Sequence, residues 1–299
     1  MSALGLHYRV ARRAGWVGDL PTNEPVAPVN PDAPLQLRFL GTAGFELRAQ
    51  GHTLVLDPFV SRPSLRQTLF DRLTPDAALI RRLIPHADDV LIGHAHHDHV
   101  LDGPELCRQT GARFIGGPDA CNVARAAGLP ESQIVSTTGR EGIVSGPATV
   151  RGVPSVHAKV YFNKTFLAGN IPTPPPWPAR ASDLLHGLVL DWEIEVGGLR
   201  VVHIDSADFL PEEHRGRTCD VLCLCAIGRR YRPHYTAEAI RLLRPRWVIP
   251  CHWDVMSTPI EARPLTLPGV DLPGFLAEIR EAGAEPVLLP PLATWSLPA

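Results

Sequence analysis

The 299-residue sequence lacks the features of a membrane-bound or secreted protein. It has no window of the ~20 apolar residues that a membrane-spanning helix requires. Its start, MSALGLHYRVARRAGW, lacks the continuous apolar stretch of a secretory signal. Its six cysteines include no C-x-x-C pair, and three lie in or beside the apolar run CDVLCLCAIG, which favours buried thiols over a disulfide framework. These absences predict a soluble protein of the reducing cytoplasm.

The sequence also has little net charge and few motifs of other enzyme classes. The formal net charge is -2, so neither nucleic acid nor an anionic membrane surface is expected as a partner. No solenoid-type repeat is evident, and no G-x-S-x-G motif places a serine nucleophile on a sharp turn. The expected partner is a small-molecule substrate, and the sequence leaves the oligomeric state undetermined.

The length and composition favour one large domain that follows an extended arm. Hydrophobic residues make up 44% of the chain, which is typical of a globular core. Residues 1–34 include the stretch GDLPTNEPVAPVNPDAPL, which is too rich in proline for a helix or a central strand. Residues 35–299 are predicted to form the domain. Within it, residues 161–187 are rich in proline and aromatic side chains, and are expected to be either a lid or surface decoration.

Hydrophobic spacing predicts both strands and helices in the domain. LQLRFLGTAGFELRAQGHTLVLDP predicts three strands, the last of which reaches Asp57. Helical spacing occurs in SLRQTLFDRLTPDAALIRRLIP, PDACNVARAAG, TAEAIRLLRP and LPGFLAEIREAG. Thr236 is predicted to be an N-cap, and Gly128 and Gly283 are predicted to lie where helices end.

The densest chemical signal is LIGHAHHDHVLD, which follows a short apolar run. Alternate residues after a strand can point the same way, so His94 and His96 can converge while Asp98 and His99 reach a neighbouring point. Imidazole and carboxylate groups in this arrangement are ligands for zinc and similar metals. His97 falls between ligand positions and is expected to point away. A metal site is preferred to a solvated turn, because so many unpaired ionisable groups beside a buried strand would be costly.

Three further groups of the ligand types close strand-like runs elsewhere. TVRGVPSVHAK reaches His157, GLRVVHIDSAD reaches Asp205, and PRWVIPCHWD reaches His252. Each has an ordinary interpretation alone, as a turn aspartate or a packed histidine. Loops at one sheet edge could nevertheless gather all three around a common point. They would then supply one imidazole to each of two metals and a carboxylate between them.

The motif HAHHDH, followed by His157, Asp205 and His252, resembles the metallo-β-lactamase fold superfamily from about Leu35 onward. The resemblance implies an α/β fold, an αββα sandwich of two mixed β-sheets with helices on the outer faces. It also implies two metal ions at one sheet edge. The implied ligands are His94, His96 and His157 for the first metal, Asp98, His99 and His252 for the second, and Asp205 as the bridge.

Four segments are similar to one branch of that superfamily: FLGTAGFEL, LVLDPFVSRPS, HDHVLDG and VIPCHWD. The branch contains ascorbate-6-phosphate lactonase and, more distantly, N-acyl-phosphatidylethanolamine phospholipase D. The resemblance implies that Asp57 orients a metal-bound histidine, the alternative being a strand-ending aspartate before Pro58. The branch usually has glycine before the bridging aspartate, whereas Ile204 stands there in this sequence. Asp208 is therefore a second candidate for the bridge beside Asp205.

The expected function is that of a metal-dependent hydrolase. Divalent ions, with zinc as the first expectation and manganese or iron as alternatives, lower the pKa of bound water to near 7 and supply hydroxide at neutral pH. The hydroxide would cleave an ester, lactone or phosphodiester, with Asp98 and Asp205 orienting it and passing on a proton. The alternative is a non-catalytic metal-binding sensor or scaffold. A diiron redox protein is disfavoured, because it would carry an acidic residue in place of His96.

Two segments are candidates for substrate contacts. The 161–187 loop offers an apolar wall made of Tyr161, Phe162, Phe166 and Trp177. The stretch IGRRYRPHYT offers groups that could bind an anionic substrate through paired hydrogen bonds, namely Arg229, Arg230, Arg232 and His234. The alternative for this stretch is a solvated basic loop.

Overall fold

The computed structural model describes residues 29–298 as two packed β-sheets with helices. Residues 1–28 of the predicted 1–34 arm lie outside the described residues. The two-sheet architecture confirms the α/β sandwich implied by the sequence.

The first sheet combines an antiparallel and a parallel part. Its strands are β1 (Gln36–Gly41), β2 (Gly44–Ala49), β3 (His52–Leu56), β4 (Asp89–Ile92), β5 (Arg113–Gly116), β6 (Ile134–Ser136) and β14 (Thr294–Ser296). Their order across the sheet is β14-β1-β2-β3-β4-β5-β6. β1, β2 and β3 pair antiparallel, as the three predicted strands require, and β3 to β6 run parallel.

The second sheet has the same mixed character. Its strands are β7 (Ile143–Ser145), β8 (Ala148–Ser155), β9 (Val189–Val196), β10 (Leu199–Ile204), β11 (Val221–Cys225), β12 (Trp247–Cys251) and β13 (Glu285–Pro286). Their order is β13-β12-β11-β10-β9-β8-β7. β7 to β10 pair antiparallel, and β10 to β13 run parallel.

The helices lie mainly between the parallel strands along the chain. They are α1 (Leu65–Phe70), α2 (Ala77–Leu83), α3 (His97–Val100), α4 (Gly103–Thr110), α5 (Pro118–Ala126), α6 (Pro211–His214), α7 (Tyr235–Leu243) and α8 (Leu272–Glu281). Within residues 29–298, none of them is both long and apolar enough to cross a lipid bilayer.

Two of the three predicted helix boundaries are confirmed. Gly128 and Gly283 follow the ends of α5 and α8 with φ of 80° and 91°, a left-handed conformation that favours glycine. The predicted N-cap Thr236 is wrong, because His234 precedes the first turn of α7. The Thr236 hydroxyl donates instead to the Glu278 carboxylate on α8, at 2.6 Å. This tertiary partner is not visible in the local sequence.

The main hydrophobic core fills the space between the two sheets. Phe39 of β1 packs against Phe45 of β2 and against Trp253, with ring centroids 5.2 and 6.0 Å apart. Trp192 of β9 is fully buried in the same cluster. A second cluster lies between the first sheet and the helices around Phe114. All six cysteines are buried and free, which agrees with the prediction of buried thiols.

One edge of the sandwich collects the ends of strands from both sheets. In the first sheet, parallel β3 and β4 end together. In the second sheet, parallel β10, β11 and β12 end together, and the end of β8 lies opposite the start of antiparallel β9. His94, which follows β4, contacts Asp205, which follows β10. The topology therefore gathers the predicted ligands of both sheets at this edge.

A buried ion pair fixes the same edge. The Arg62 guanidinium lies 2.5 Å from the Asp254 carboxylate, and both side chains are almost fully buried. The second Asp254 oxygen accepts the Thr42 backbone N–H at 2.8 Å, and the Thr42 carbonyl accepts the His252 backbone N–H at 2.5 Å. Gly41 has φ 77°, and a Cβ there would overlap the Arg62 guanidinium. The pair thus ties the β1–β2 turn to the segment that carries His252.

We expect Asp254→Ala to reduce the free energy of unfolding by about 3–5 kcal/mol, because it leaves the Arg62 charge buried and unpaired. Urea denaturation of the metal-free protein measures this change. The double variant Arg62→Met/Asp254→Asn carries no charge at either position and keeps an oxygen for the Thr42 N–H. Its free energy of unfolding should therefore fall by less than that of Asp254→Ala. A double variant that is as unstable as Asp254→Ala would contradict this explanation.

Candidate metal centre

Three imidazoles converge at the ends of β4 and β8. His94, His96 and His157 each offer a nitrogen within 4.8 Å of the other two. His94 Nε2 and His96 Nδ1 lie 3.0 Å apart. A set of three neutral imidazoles is a donor set of catalytic zinc sites. The structure therefore brings together the ligands expected for the first metal.

A second group lies beside the first. Asp98, His99 and His252 also offer ligand atoms within 4.8 Å of one another. One oxygen of Asp98, Oδ2, lies 3.2 Å from His252 Nε2 and 3.8 Å from His99 Nε2. These are the residues expected for the second metal.

Asp205 connects the two groups. Its Oδ2 lies 2.6 Å from His94 Nδ1 and 3.4 Å from His99 Nδ1. Its Oδ1 is buried and has no hydrogen-bond partner among the described residues. An unpaired carboxylate oxygen in a buried site is costly, and a cation would compensate it. The residues present therefore fit divalent cations at both groups.

The alternative bridge, Asp208, is engaged elsewhere. Its carboxylate pairs with the Arg232 guanidinium and accepts the backbone N–H of Phe209. Asp208 belongs to none of the ligand groups found within residues 29–298. The geometry therefore favours Asp205 as the bridge.

Several of the imidazoles are oriented through their second ring nitrogen. His157 Nδ1 donates to the Ala158 carbonyl at 2.8 Å, and His96 Nε2 lies 3.4 Å from the Leu167 carbonyl. Such partners fix the ring and leave the other nitrogen free as a ligand.

Asp57 orients His99 in the same way. One Asp57 oxygen lies 2.9 Å from His99 Nδ1, and the other accepts the Gly93 backbone N–H at 2.7 Å. His99 Nε2 therefore faces Asp98. This is the contact that the resemblance implied for Asp57.

Burial sets the protonation of the site. It lowers the pKa of four imidazoles, those of His94, His96, His99 and His157, and the value for His96 falls to about 3. Burial alone would raise the pKa of Asp98, but His99 and His252 hold it well below its usual range. Burial and the nearby Asp205 raise the pKa of Asp57. The four imidazoles are therefore neutral at pH 7 and ready to bind metal without releasing protons.

The stability of the metal-free protein should fall as the pH drops from 7.5 to 5. Below about pH 6.5 the unfolded chain protonates its histidines, whereas the buried imidazoles stay neutral in the folded state, so acid favours unfolding. Three buried aspartates, Asp57, Asp102 and Asp191, act in the opposite direction because burial raises their pKa values. They are outnumbered, because burial also lowers the pKa of His97 and His203 and so brings the number of such histidines to six. Calorimetry of chelator-treated protein measures the melting temperature, and His96→Gln should show a weaker pH dependence. An unchanged or higher melting temperature at pH 5 would contradict the prediction.

His97 is not part of the ligand groups. It is buried, its ring meets Phe59 edge-on at 5.8 Å, and its two nitrogens have no hydrogen-bond partner among the described residues. His97 belongs to none of the ligand groups found within residues 29–298, but it lines the cavity beside them, so it does not point away from the site as expected.

Sequence reasoning missed His186, which lies in the 161–187 loop. Its ring stacks on His157 with centroids 5.6 Å apart and meets His96 edge-on at 5.8 Å. The ligand candidates predicted from the sequence all follow strands, whereas His186 precedes one. β9 runs antiparallel to β8 and β10, so its beginning lies at the metal edge. A histidine directly before a buried antiparallel strand is the signal that could have found it.

The structure does not bring the predicted basic residues to the metal centre. They line a separate cavity at the start of α7, together with Glu278 and Glu281. Arg229 lies 3.4 Å from the Glu278 carboxylate, and Arg232 pairs with Asp208 and Glu238. These two guanidinium groups are already matched by carboxylates. The expected anion contact therefore lies away from the metal ligands.

A family model described as the beta-lactamase superfamily domain matches residues 36–252, the range that contains both ligand groups. The chain belongs to this superfamily. A UPF0173 metal-dependent hydrolase of Anaeromyxobacter dehalogenans is 31% identical over 245 residues, which cover 76% of this chain and 79% of the relative. A UPF0173 metal-dependent hydrolase of Methanopyrus kandleri is 25% identical over 274 residues, covering 86% and 97%.

The fold is also found in solved structures of low sequence identity. The metallo hydrolase Igni18 of Ignicoccus hospitalis aligns with a TM-score of 0.57 at 19% identity, over 89% of this chain and 99% of that protein. The branch with ascorbate-6-phosphate lactonase and N-acyl-phosphatidylethanolamine phospholipase D stays a prediction.

We expect the protein to bind close to two divalent metals per chain. Asp205→Asn should weaken metal affinity by more than roughly 10–100-fold, which is the cost of losing a residue that only hydrogen-bonds to a ligand. Asp208→Asn is the matched control, because it removes an equivalent charge from outside the ligand groups. Elemental analysis after dialysis gives the metal content. If Asp208→Asn lost more metal than Asp205→Asn, the bridge would have to be reassigned to Asp208.

Proposed function

We propose that the protein is a binuclear metal-dependent hydrolase that cleaves an ester, a lactone or a phosphodiester. One observation carries the proposal. A cavity of about 180 Å³ opens directly onto the ligands of both groups, His94, His96, Asp98, His99, His157, Asp205 and His252. Structural metal sites are closed by their protein ligands, whereas catalytic sites leave access for water and substrate. The open cavity thus favours an enzyme over a non-catalytic sensor or scaffold.

The ligand set suits the chemistry of hydrolysis. Two bound divalent cations, zinc as the first choice and manganese or iron as alternatives, would lower the pKa of water to near 7 and stabilise charge that develops on the substrate. His94, His96 and His157 would hold one cation. Asp98, His99 and His252 would hold the other, with Asp205 between them.

Asp98 and Asp205 have the additional role of handling protons. Asp98 is ionised at neutral pH, because its neighbours keep its pKa low. An ionised carboxylate beside the reacting group can accept a proton from water and pass it to the leaving group. The Asp205 carboxylate is fixed in position by its contact with His94 Nδ1. The names of the UPF0173 relatives, metal-dependent hydrolases, support this assignment of the reaction class.

The direct test is an assay of the metal-loaded protein against matched esters, lactones and phosphodiesters. Turnover that depends on added metal and is lost with a chelator is the expected result. A protein that binds metal fully and cleaves none of the three classes would favour the sensor or scaffold instead.

Asp98→Asn should lower kcat by about 10²–10⁴-fold, the range typical of a lost acid–base group. Asp102→Asn is the matched control, because Asp102 is a second buried aspartate of the same segment. Its Oδ2 accepts the backbone N–H groups of Val60 and Ser61 at 2.7 and 2.9 Å, contacts that an asparagine oxygen can keep. Steady-state kinetics on metal-loaded variants measure both effects. Equal losses in the two variants would show that Asp98 has no special role.

A further inference from the structure

Apart from the ligand residues, the side chains that line the cavity are mostly apolar. The apolar wall is formed by Val160, Tyr161, Phe166, Leu167, Ile227 and Leu267. In the described part of the chain, none of the residues that line this cavity is a lysine or an arginine. The wall therefore offers apolar contact and no cationic side chain to the distal end of a substrate.

The 161–187 loop supplies half of these six residues, but only part of the predicted aromatic set. Tyr161 and Phe166 line the cavity. Phe162 does not, and its side chain is 85% exposed. Trp177 packs on the hydrophobic cluster that contains Leu73. The loop thus presents two aromatic rings to the site and directs the others elsewhere.

Hydrogen bonds hold the wall in place. The Tyr161 hydroxyl donates to the Pro268 carbonyl at 2.8 Å, next to the lining residue Leu267. The Leu167 carbonyl accepts the His186 backbone N–H at 3.1 Å and lies 3.4 Å from His96 Nε2. The apolar wall is therefore anchored to the metal-binding side and to the opposite side of the cavity.

A charged group against this wall would lose its hydration without gaining a partner, which is costly. Anion sites usually contain arginine or lysine, and the arginines predicted for that role line another cavity. A cavity of about 180 Å³ is also smaller than the roughly 300–1,000 Å³ of sites for drug-sized ligands. These observations select for a small substrate without a distal charge.

We propose that the substrate is an uncharged carboxylic ester or lactone whose acyl group is a short apolar chain packed against Phe166 and Leu267. The proposal rests on the hydrolase function proposed above. In the reaction, water adds its oxygen to the acyl carbon and the acyl carbon–oxygen bond breaks. The protons of water end on the leaving alkoxide and in the medium, giving an alcohol and a carboxylate.

Matched p-nitrophenyl esters test the acyl preference. From acetate to butyrate to hexanoate, kcat/KM should rise by roughly threefold to fourfold for each methylene that is buried. The mono-ester of hexanedioate, which carries a carboxylate in place of the terminal methyl group, should be at least about tenfold poorer than hexanoate, as should bis(p-nitrophenyl) phosphate. Preference for either anion, or the same kcat/KM for all three alkyl esters, overturns the proposal.

A binding measurement separates this proposal from the hydrolase function. Acetohydroxamate, butyrohydroxamate and hexanohydroxamate place the same metal-binding group beside tails of increasing length. Calorimetry on the metal-loaded protein should show affinity rising along the series and falling for a tail that ends in carboxylate. If affinity follows this order but no ester is cleaved, the hydrolase function fails and the apolar pocket stands. If esters are cleaved but affinity ignores the tail, the pocket assignment fails.

Two phenylalanines of the loop form a matched pair of variants. Phe166→Ala removes a lining ring and should reduce the preference for hexanoate over acetate by about fivefold or more, with metal content unchanged. Phe162→Ala removes a more exposed ring four residues earlier, 85% against 44% for Phe166, and should leave the preference as it is. Equal responses from the two variants would overturn the role of the wall.

Discussion

Compensation of buried charge is the constraint on which the rest of this structure depends. Asp57, Asp98 and Asp205 lie together at one sheet edge with almost no exposure to solvent. Carboxylates placed so closely repel one another, and the pKa of Asp57 is raised first by burial and then by the nearby Asp205. Imidazoles on every side moderate the repulsion, and cations would complete the compensation. Each buried carboxylate at this edge therefore depends on the neighbouring imidazoles for its stability.

The two sheets make this unit possible because each contributes strand ends of the same direction. Parallel β3 and β4 deliver Asp57 and the histidine motif, and parallel β10 and β12 deliver Asp205 and His252. Backbone groups at the strand ends are freed from sheet pairing and can hold the side chains, as the Gly93 N–H does for Asp57. The fold thus brings together side chains that are far apart in the sequence.

Much of this arrangement was predictable from the sequence, because strands and ligands are encoded locally. The first three strands and the histidine motif follow from alternation and spacing over a few residues. His157, Asp205 and His252 follow from their positions at the ends of apolar runs. What could not be predicted depends on contacts between distant segments. Thr236 was expected to cap a helix but binds Glu278, and the Arg62–Asp254 pair joins segments that are 192 residues apart.

The basic stretch from Ile227 to Thr236 shows that functional contacts are equally hard to predict from local sequence. Four residues with the chemistry of an anion site lie close together in sequence, yet the fold gives the guanidinium groups of Arg229 and Arg232 carboxylate partners. His186 is the opposite case. It lies at the metal edge because of the direction of β9, and the composition of the surrounding loop does not indicate this position. Residue type indicates what a side chain can do, and topology decides where it does it.

The 161–187 loop has a consequence for how such an enzyme can diversify. β8 and β9 are hydrogen-bonded neighbours along their whole length, so the loop is in effect a very long hairpin connection whose two ends are pinned side by side. The entropy of closing a loop grows only slowly with its length, by about 0.6 kcal/mol for each doubling. Insertions and deletions there can reshape the cavity wall while the sheet register stays fixed, provided that Leu167 and His186 keep their contacts with His96 and His157. The length of this connection can therefore change at little cost in stability, whereas the strand ends that carry the candidate ligands cannot shift without breaking the sheet.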